Sequence, residues 1–67
     1  MWKIKADGML AENEKLGKVM RIELGKDKLY RVKRNYKTLG TFTTMSDAKI
    51  FLVDIVRKLN GEQHDEK

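Results

Sequence analysis

Sixty-seven residues without a single cysteine set narrow limits. A chain this short makes one domain, spanning 1–67; it buries only about 60% of the surface it exposes when unfolded, with no disulfide or thiolate metal site to reinforce a small core. Fifteen lysines and arginines oppose ten acidic residues for a net charge of +5, and no apolar run approaches the roughly 20 residues that a bilayer-spanning helix needs.

In chain order, residues 1–17 are an N-terminal segment whose pattern is weak. "WKIK" reads as a short strand with Trp2 and Ile4 on one side, and "MLAENEKLG" as a brief helical turn or a loop. The next stretch, "KVMRIEL" at Lys18–Leu24, alternates cleanly: Met20, Ile22 and Leu24 share one face, and Val19, Arg21 and Glu23 share the other. That period of two marks a half-buried strand. "GKDK", Gly25 to Lys28, supplies a tight turn. "LYRVKRN" then places Tyr30 and Val32 on one face and Leu29, Arg31 and Lys33 on the other. Asn35-Tyr36 makes a second turn, and "KTLGTF" returns as a third strand in which Gly40 permits a bulge or a close approach. The antiparallel sheet is thus expected over 18–42.

A helix follows over 45–60. Thr44 and Asp47 have the spacing that satisfies the free amides of a helix start. Asp47 near that start, with Arg57 and Lys58 near the end, suits the helix dipole. Asn60-Gly61 offers a left-handed stop, which leaves 61–67 as a polar tail. Ala48, Phe51, Leu52, Ile55 and Leu59 form one apolar stripe, expected to lie against Met20, Ile22, Tyr30, Val32 and Leu39. The fold class is therefore α+β: a three-stranded antiparallel sheet packed on one C-terminal helix, preceded by a short N-terminal segment.

The charge excess is confined to the sheet. Residues 18–43 hold eight basic side chains against two acidic ones, whereas the segments on either side are close to balanced. Solubilising surfaces mix their signs; a patch of one sign is the footprint of a polyanion. The strand register puts Arg21, Arg31, Lys33, Tyr36 and Thr38 on the face away from the helix. Arg21 and Arg31 are candidates for base or deep-groove contacts, because arginine pairs bidentately with guanine. Lys33, Arg34 and Lys37 suit phosphates. The same residues would also serve as a solvated sheet face that discourages edge pairing. Ile50, Val53 and Val56 fall away from the main helix stripe. Either the Trp2/Ile4/Leu10 segment covers them, or they meet a second copy or a protein partner.

No catalytic constellation emerges. His64 is the only histidine and lies among polar tail residues, without neighbours to make it a base or a metal ligand. Ser46, Thr43 and Thr44 have no base in the pattern, and Gly25 and Gly40 do not form a phosphate-binding loop. The expectation is a non-enzymatic protein with no metal and no cofactor, lacking the apolar stretch of a signal peptide and residing in the cytoplasm.

The stretch "LYRVKRNYKTLGTFTTMSDAKIFLVDIVRKLNG", Leu29 to Gly61, resembles the DNA-binding domain of plant ethylene-response factors and the related amino-terminal domains of phage tyrosine-recombinase integrases. The resemblance rests on "LGTF" at Leu39–Phe42, followed by a helix that starts at a threonine and ends near "RKLNG", and it covers about half of the chain. It implies a three-stranded sheet whose outer face enters the major groove of duplex DNA. By position, Arg31 and Lys33 match groove-facing sites of the middle strand, Tyr36 and Thr38 the outward pair before "LGTF", and Arg21 a first-strand contact. The groove-facing tryptophan of the plant domain is replaced here by Thr38. A module of this kind is expected to be a phage or mobile-element accessory factor in a bacterial host cell. The alternative is a phage-encoded protein-interaction module that inhibits a host or defence protein.

Overall fold

The structure, a computed structural model, describes residues 1–64. It is α+β, with an antiparallel sheet backed by one C-terminal helix, and the sheet has five strands rather than three. They are β1 (Lys3–Lys5), β2 (Leu10–Asn13), β3 (Lys18–Leu24), β4 (Tyr30–Arg34) and β5 (Lys37–Phe42), followed by α1 (Met45–His64). The strands lie side by side in sequence order. The two extra strands come from residues 1–17. The strand read at "WKIK" is β1, whereas β2 is four residues long, too short to display a clear period, and neither shows from its own pattern that it joins the sheet. The helical turn or loop expected for "MLAENEKLG" is instead β2 and a turn closed by Gly17 N–H donating to Glu14 O (3.3 Å). The Asn13 side chain braces that turn by accepting from Leu16 N–H (3.1 Å).

The register explains the core. Ile4, Ala11, Met20 and Arg34 form one cross-strand row, and Ile22 and Val32 pair in the next. Side chains of one row share a face, and this face meets α1. Ala11, Met20, Val32, Ala48 and Leu52 are fully buried there, with Trp2, Ile22 and Val56 nearly so; Tyr30, Leu39, Phe51, Ile55 and Leu59 pack around them. Each fully buried aliphatic side chain contributes about 1.5–3 kcal/mol.

Two sequence expectations are corrected by this packing. Val56 belongs to the core, being 3% exposed, and so is not available to a partner. A three-stranded sheet would leave its side of the helix bare, but β1 and β2 extend the sheet and bring Trp2 and Ala11 into the cluster that encloses it. The helix also runs through Asn60 and Gly61 to His64. Asn60 does not cap it. Its side chain accepts from Trp2 N–H (2.9 Å) and donates to Trp2 O (3.2 Å), acting on the N-terminal backbone as a neighbouring strand would. Of the expected tail, residues 65–67 lie outside the described residues.

Other local readings hold. Thr44 Oγ1 accepts from Asp47 N–H (3.2 Å) at the helix start. The Gly25–Lys28 turn closes with Lys28 N–H donating to Gly25 O (3.0 Å), Lys28 being left-handed at φ 65°. Asn35 and Tyr36 form a two-residue loop between the paired Arg34 and Lys37, with Asn35 at φ 57°. The register of β4 and β5 shifts between Val32 and Lys33, leaving Leu39 as the extra residue of a bulge. Beside it, Gly40 provides the close approach: a Cβ there would lie 2.9 Å from the Phe42 ring and 3.1 Å from that of Phe51. Those rings already pack with centroids 4.9 Å apart. Gly40→Ala is therefore expected to destabilise by about 1–3 kcal/mol through overpacking, measured as a lower urea midpoint.

Candidate nucleic-acid interface

The face of the sheet opposite α1 carries no covering element among the described residues. One row crosses all five strands on this face: Lys5, Leu10, Arg21, Lys33 and Thr38. The row beside it holds Glu23, Arg31 and Thr41, and Lys3, Glu12 and Val19 lie on the opposite flank. Neighbours within a row are about 5 Å apart, so Arg21, Arg31, Lys33 and Thr38 are brought together as the strand alternation indicates. Lys3 and Lys5 also join the face. The sequence indicates a short strand at "WKIK" with Trp2 and Ile4 on one side, but not its place at the edge of the sheet, so Lys3 and Lys5 are not among the expected site residues.

The cations are not bare. Arg21 Nε donates to Glu23 Oε2 (2.6 Å), and Lys33 Nζ lies 3.1 Å from Glu23 Oε1. Arg31 forms a two-pronged bond to Asp27, Nη1 to Oδ1 at 3.0 Å and Nη2 to Oδ2 at 2.6 Å. Its guanidinium lies over Gly25, where any Cβ would overlap it. Lys5 Nζ meets Glu12 Oε1 at 2.8 Å. Exposed pairs of this kind contribute little to stability, but they hold long side chains in fixed directions. They also leave a net positive face, five cations against Glu12, Glu23 and the adjoining Asp27.

The carboxylates respond to this arrangement. The Arg21 guanidinium first, and the Lys33 ammonium after it, hold the Glu23 carboxyl below its ordinary range. Asp27 is lowered from 3.8 to about 2, first by the hydrogen bonds from Arg31 and then by Leu29 N–H. The same contact raises the Arg31 guanidinium, and the Glu12 hydrogen bond raises Lys5. Because the folded-state pKa of Asp27 is depressed, its contribution to stability is present above about pH 4 and is lost as pH falls towards 2. An NMR titration of the Asp27 carboxyl should give a midpoint near 2, and in Arg31→Ala the midpoint should return towards 3.8.

Other expected site residues lie elsewhere. Arg34 shares the helix-side row with Met20, and its guanidinium carbon lies 5.5 Å from the centroid of the Trp2 ring, a cation–π contact. Two positions separate it from Val32, so strand parity places it with the core face. Lys37 pairs with Arg34 in the same row and is exposed. Tyr36 is not in the outward row with Thr38 but at the tip of the loop, 99% exposed. Leu29 is a half-buried loop residue. On the helix, Ile50 is 65% exposed and Val53 half-buried, together lining an open cleft with Asp7, Lys49, Asp54 and Arg57. The N-terminal segment does not cover Ile50.

Among the described residues there is no group of three or more histidine, aspartate or glutamate side chains placed to hold a metal ion, and no helix is long and apolar enough to cross a membrane. By architecture the molecule is a five-stranded antiparallel meander backed by one helix, with its other sheet face open and net basic. Comparison with family models, with curated proteins and with solved structures finds no match to the chain.

Proposed function

We propose that this chain is a small non-enzymatic DNA-binding protein that contacts duplex DNA through the outer face of its sheet. The observation that carries the reading is the coincidence of charge and exposure. The excess charge of the chain falls on the β3–β5 sector, and the outer face of that sector is uncovered, presenting Arg21, Arg31 and Lys33 alongside Thr38 and Thr41. A β-sheet face of this kind fits a groove wide enough to admit β-structure. The carboxylate partners do not oppose the reading strongly: exposed ion pairs are weak, and phosphates can replace Glu23 and Asp27 around cations that are already extended. The resemblance of Leu29–Gly61 to ethylene-response-factor and integrase domains supports the same mode. It also supplies the biological setting, a phage or mobile-element accessory factor acting in the cytoplasm of a bacterial host.

A labelled random duplex followed by fluorescence anisotropy tests the proposal. Four phosphate contacts give a log–log salt slope of about −3.6, which weakens binding roughly 150-fold between 50 and 200 mM salt. Absence of binding at 50 mM overturns it. The second reading, a protein-interaction module directed at a host or defence protein, is favoured by one observation: the 65% exposure of Ile50 beside an open cleft on the helix. In that case Ile50→Asp abolishes activity, and DNA affinity is negligible throughout.

A further inference from the structure

The hairpin tip between β4 and β5 has a chemistry that neither sheet face shares. Tyr36 projects from a two-residue loop and is 99% exposed, so its ring packs on nothing in the domain. Open clefts flank it on both sides. One is lined by Arg34, Asn35, Lys37 and Leu39, the other by Val19, Arg21 and Asn35. No carboxylate lines either cleft, whereas those along α1 are bordered by Asp7, Asp47 and Asp54. Arg34 and Lys37 form no ion pair among the described residues. The tip therefore combines a free aromatic face with Arg34 and Lys37 on one side, neither in an ion pair among the described residues, and on the other side Arg21, whose exposed pair with Glu23 is weak.

A planar ring between cationic clefts suits a planar, uncharged group flanked by anions. In a nucleic-acid strand that group is a base and the anions are its two neighbouring phosphates, and stacking on an aromatic ring is the sequence-independent way to hold such a base. Within a duplex, away from its ends, both faces of each base are already stacked. Along the duplex a single exposed ring can engage only a base that has left the stack. We propose that the Asn35–Tyr36 tip binds an unpaired DNA base, with Tyr36 stacking on it, Lys37 and Arg34 holding one adjacent phosphate and Arg21 the other. The proposal rests on the outer-face reading above and adds to it a preference: the domain settles where duplex gives way to single strand, with the sheet on the duplex and the tip on the first unpaired nucleotide.

The test compares a blunt duplex with the same duplex carrying a short single-stranded overhang, by anisotropy at one salt concentration, for the wild-type chain, Tyr36→Ala and Tyr36→Phe. Because the side chain is fully exposed, neither change disturbs packing. The wild type should bind the overhang substrate about tenfold more tightly than the blunt one. Tyr36→Ala should reduce the overhang affinity to that of the blunt duplex, and Tyr36→Phe should retain the preference. Equal wild-type affinity for the two substrates, or an unchanged preference in Tyr36→Ala, overturns the tip site while leaving the outer face intact. Failure to bind either substrate at 50 mM salt overturns both.

Discussion

Trp2→Ala should lower the stability of the domain by about 3–5 kcal/mol, the range for removing a large aromatic from a packed core. A 67-residue domain has roughly 3–10 kcal/mol in total, so this one change brings the fold close to collapse. The size of the effect follows from what the side chain connects. Trp2 is 3% exposed and belongs to the cluster of Met20, Leu52 and Val56. Its backbone is gripped by Asn60 at both N–H and C=O, and Arg34 lies against its ring. It thus joins the first strand, the fourth strand and the last turns of the helix. Chemical denaturation followed by circular dichroism measures the loss, and the emission of this single tryptophan reports unfolding in the wild type. An unchanged midpoint in Trp2→Ala would show that the first two strands are not part of the cooperative unit, reducing the fold to the three-stranded arrangement that the resemblance implies.

The double variant Arg31→Ala with Lys33→Ala should weaken duplex binding by about tenfold or more and reduce the salt slope from about −3.6 to about −2.7, as the Lys33 phosphate contact is lost together with the Arg31 base or deep-groove contact. Both positions are on the middle strand and face away from the core, so the circular dichroism spectrum should be unchanged. The losses are not those of two isolated charges. Removing Arg31 leaves Asp27 in the adjoining turn without its partner, and removing Lys33 leaves Glu23 with Arg21 alone, so the face falls from five cations against three carboxylates to three against three. Unchanged affinity and slope in the double variant would remove the outer face as a DNA surface.

Much of the candidate face is legible in the sequence, because it depends on strand parity and nothing else. Once Lys18–Leu24 and Tyr30–Arg34 are recognised as paired strands, Arg21, Arg31 and Lys33 must share a side. The same parity assigns Arg34 to the helix side, although its charge alone argues for a phosphate contact. The partners of these cations are a different matter. Glu23 is close in sequence, but Asp27 reaches Arg31 only because the turn folds back and Gly25 leaves room for the guanidinium.

The sequence by itself determined the strongly periodic elements: β3, β4, β5 and the start and apolar stripe of α1, whose signals are local and repeat often enough to stand out from a single chain. Tertiary structure alone decided the rest. A strand at "WKIK" is legible, but β2 and the membership of both in the sheet are not, because they are settled only when β3 offers an edge and the helix offers Trp2 a place. That addition buries Val56 and gives the Asn60 side chain a partner in the Trp2 backbone 58 positions away, on a helix that continues through Gly61.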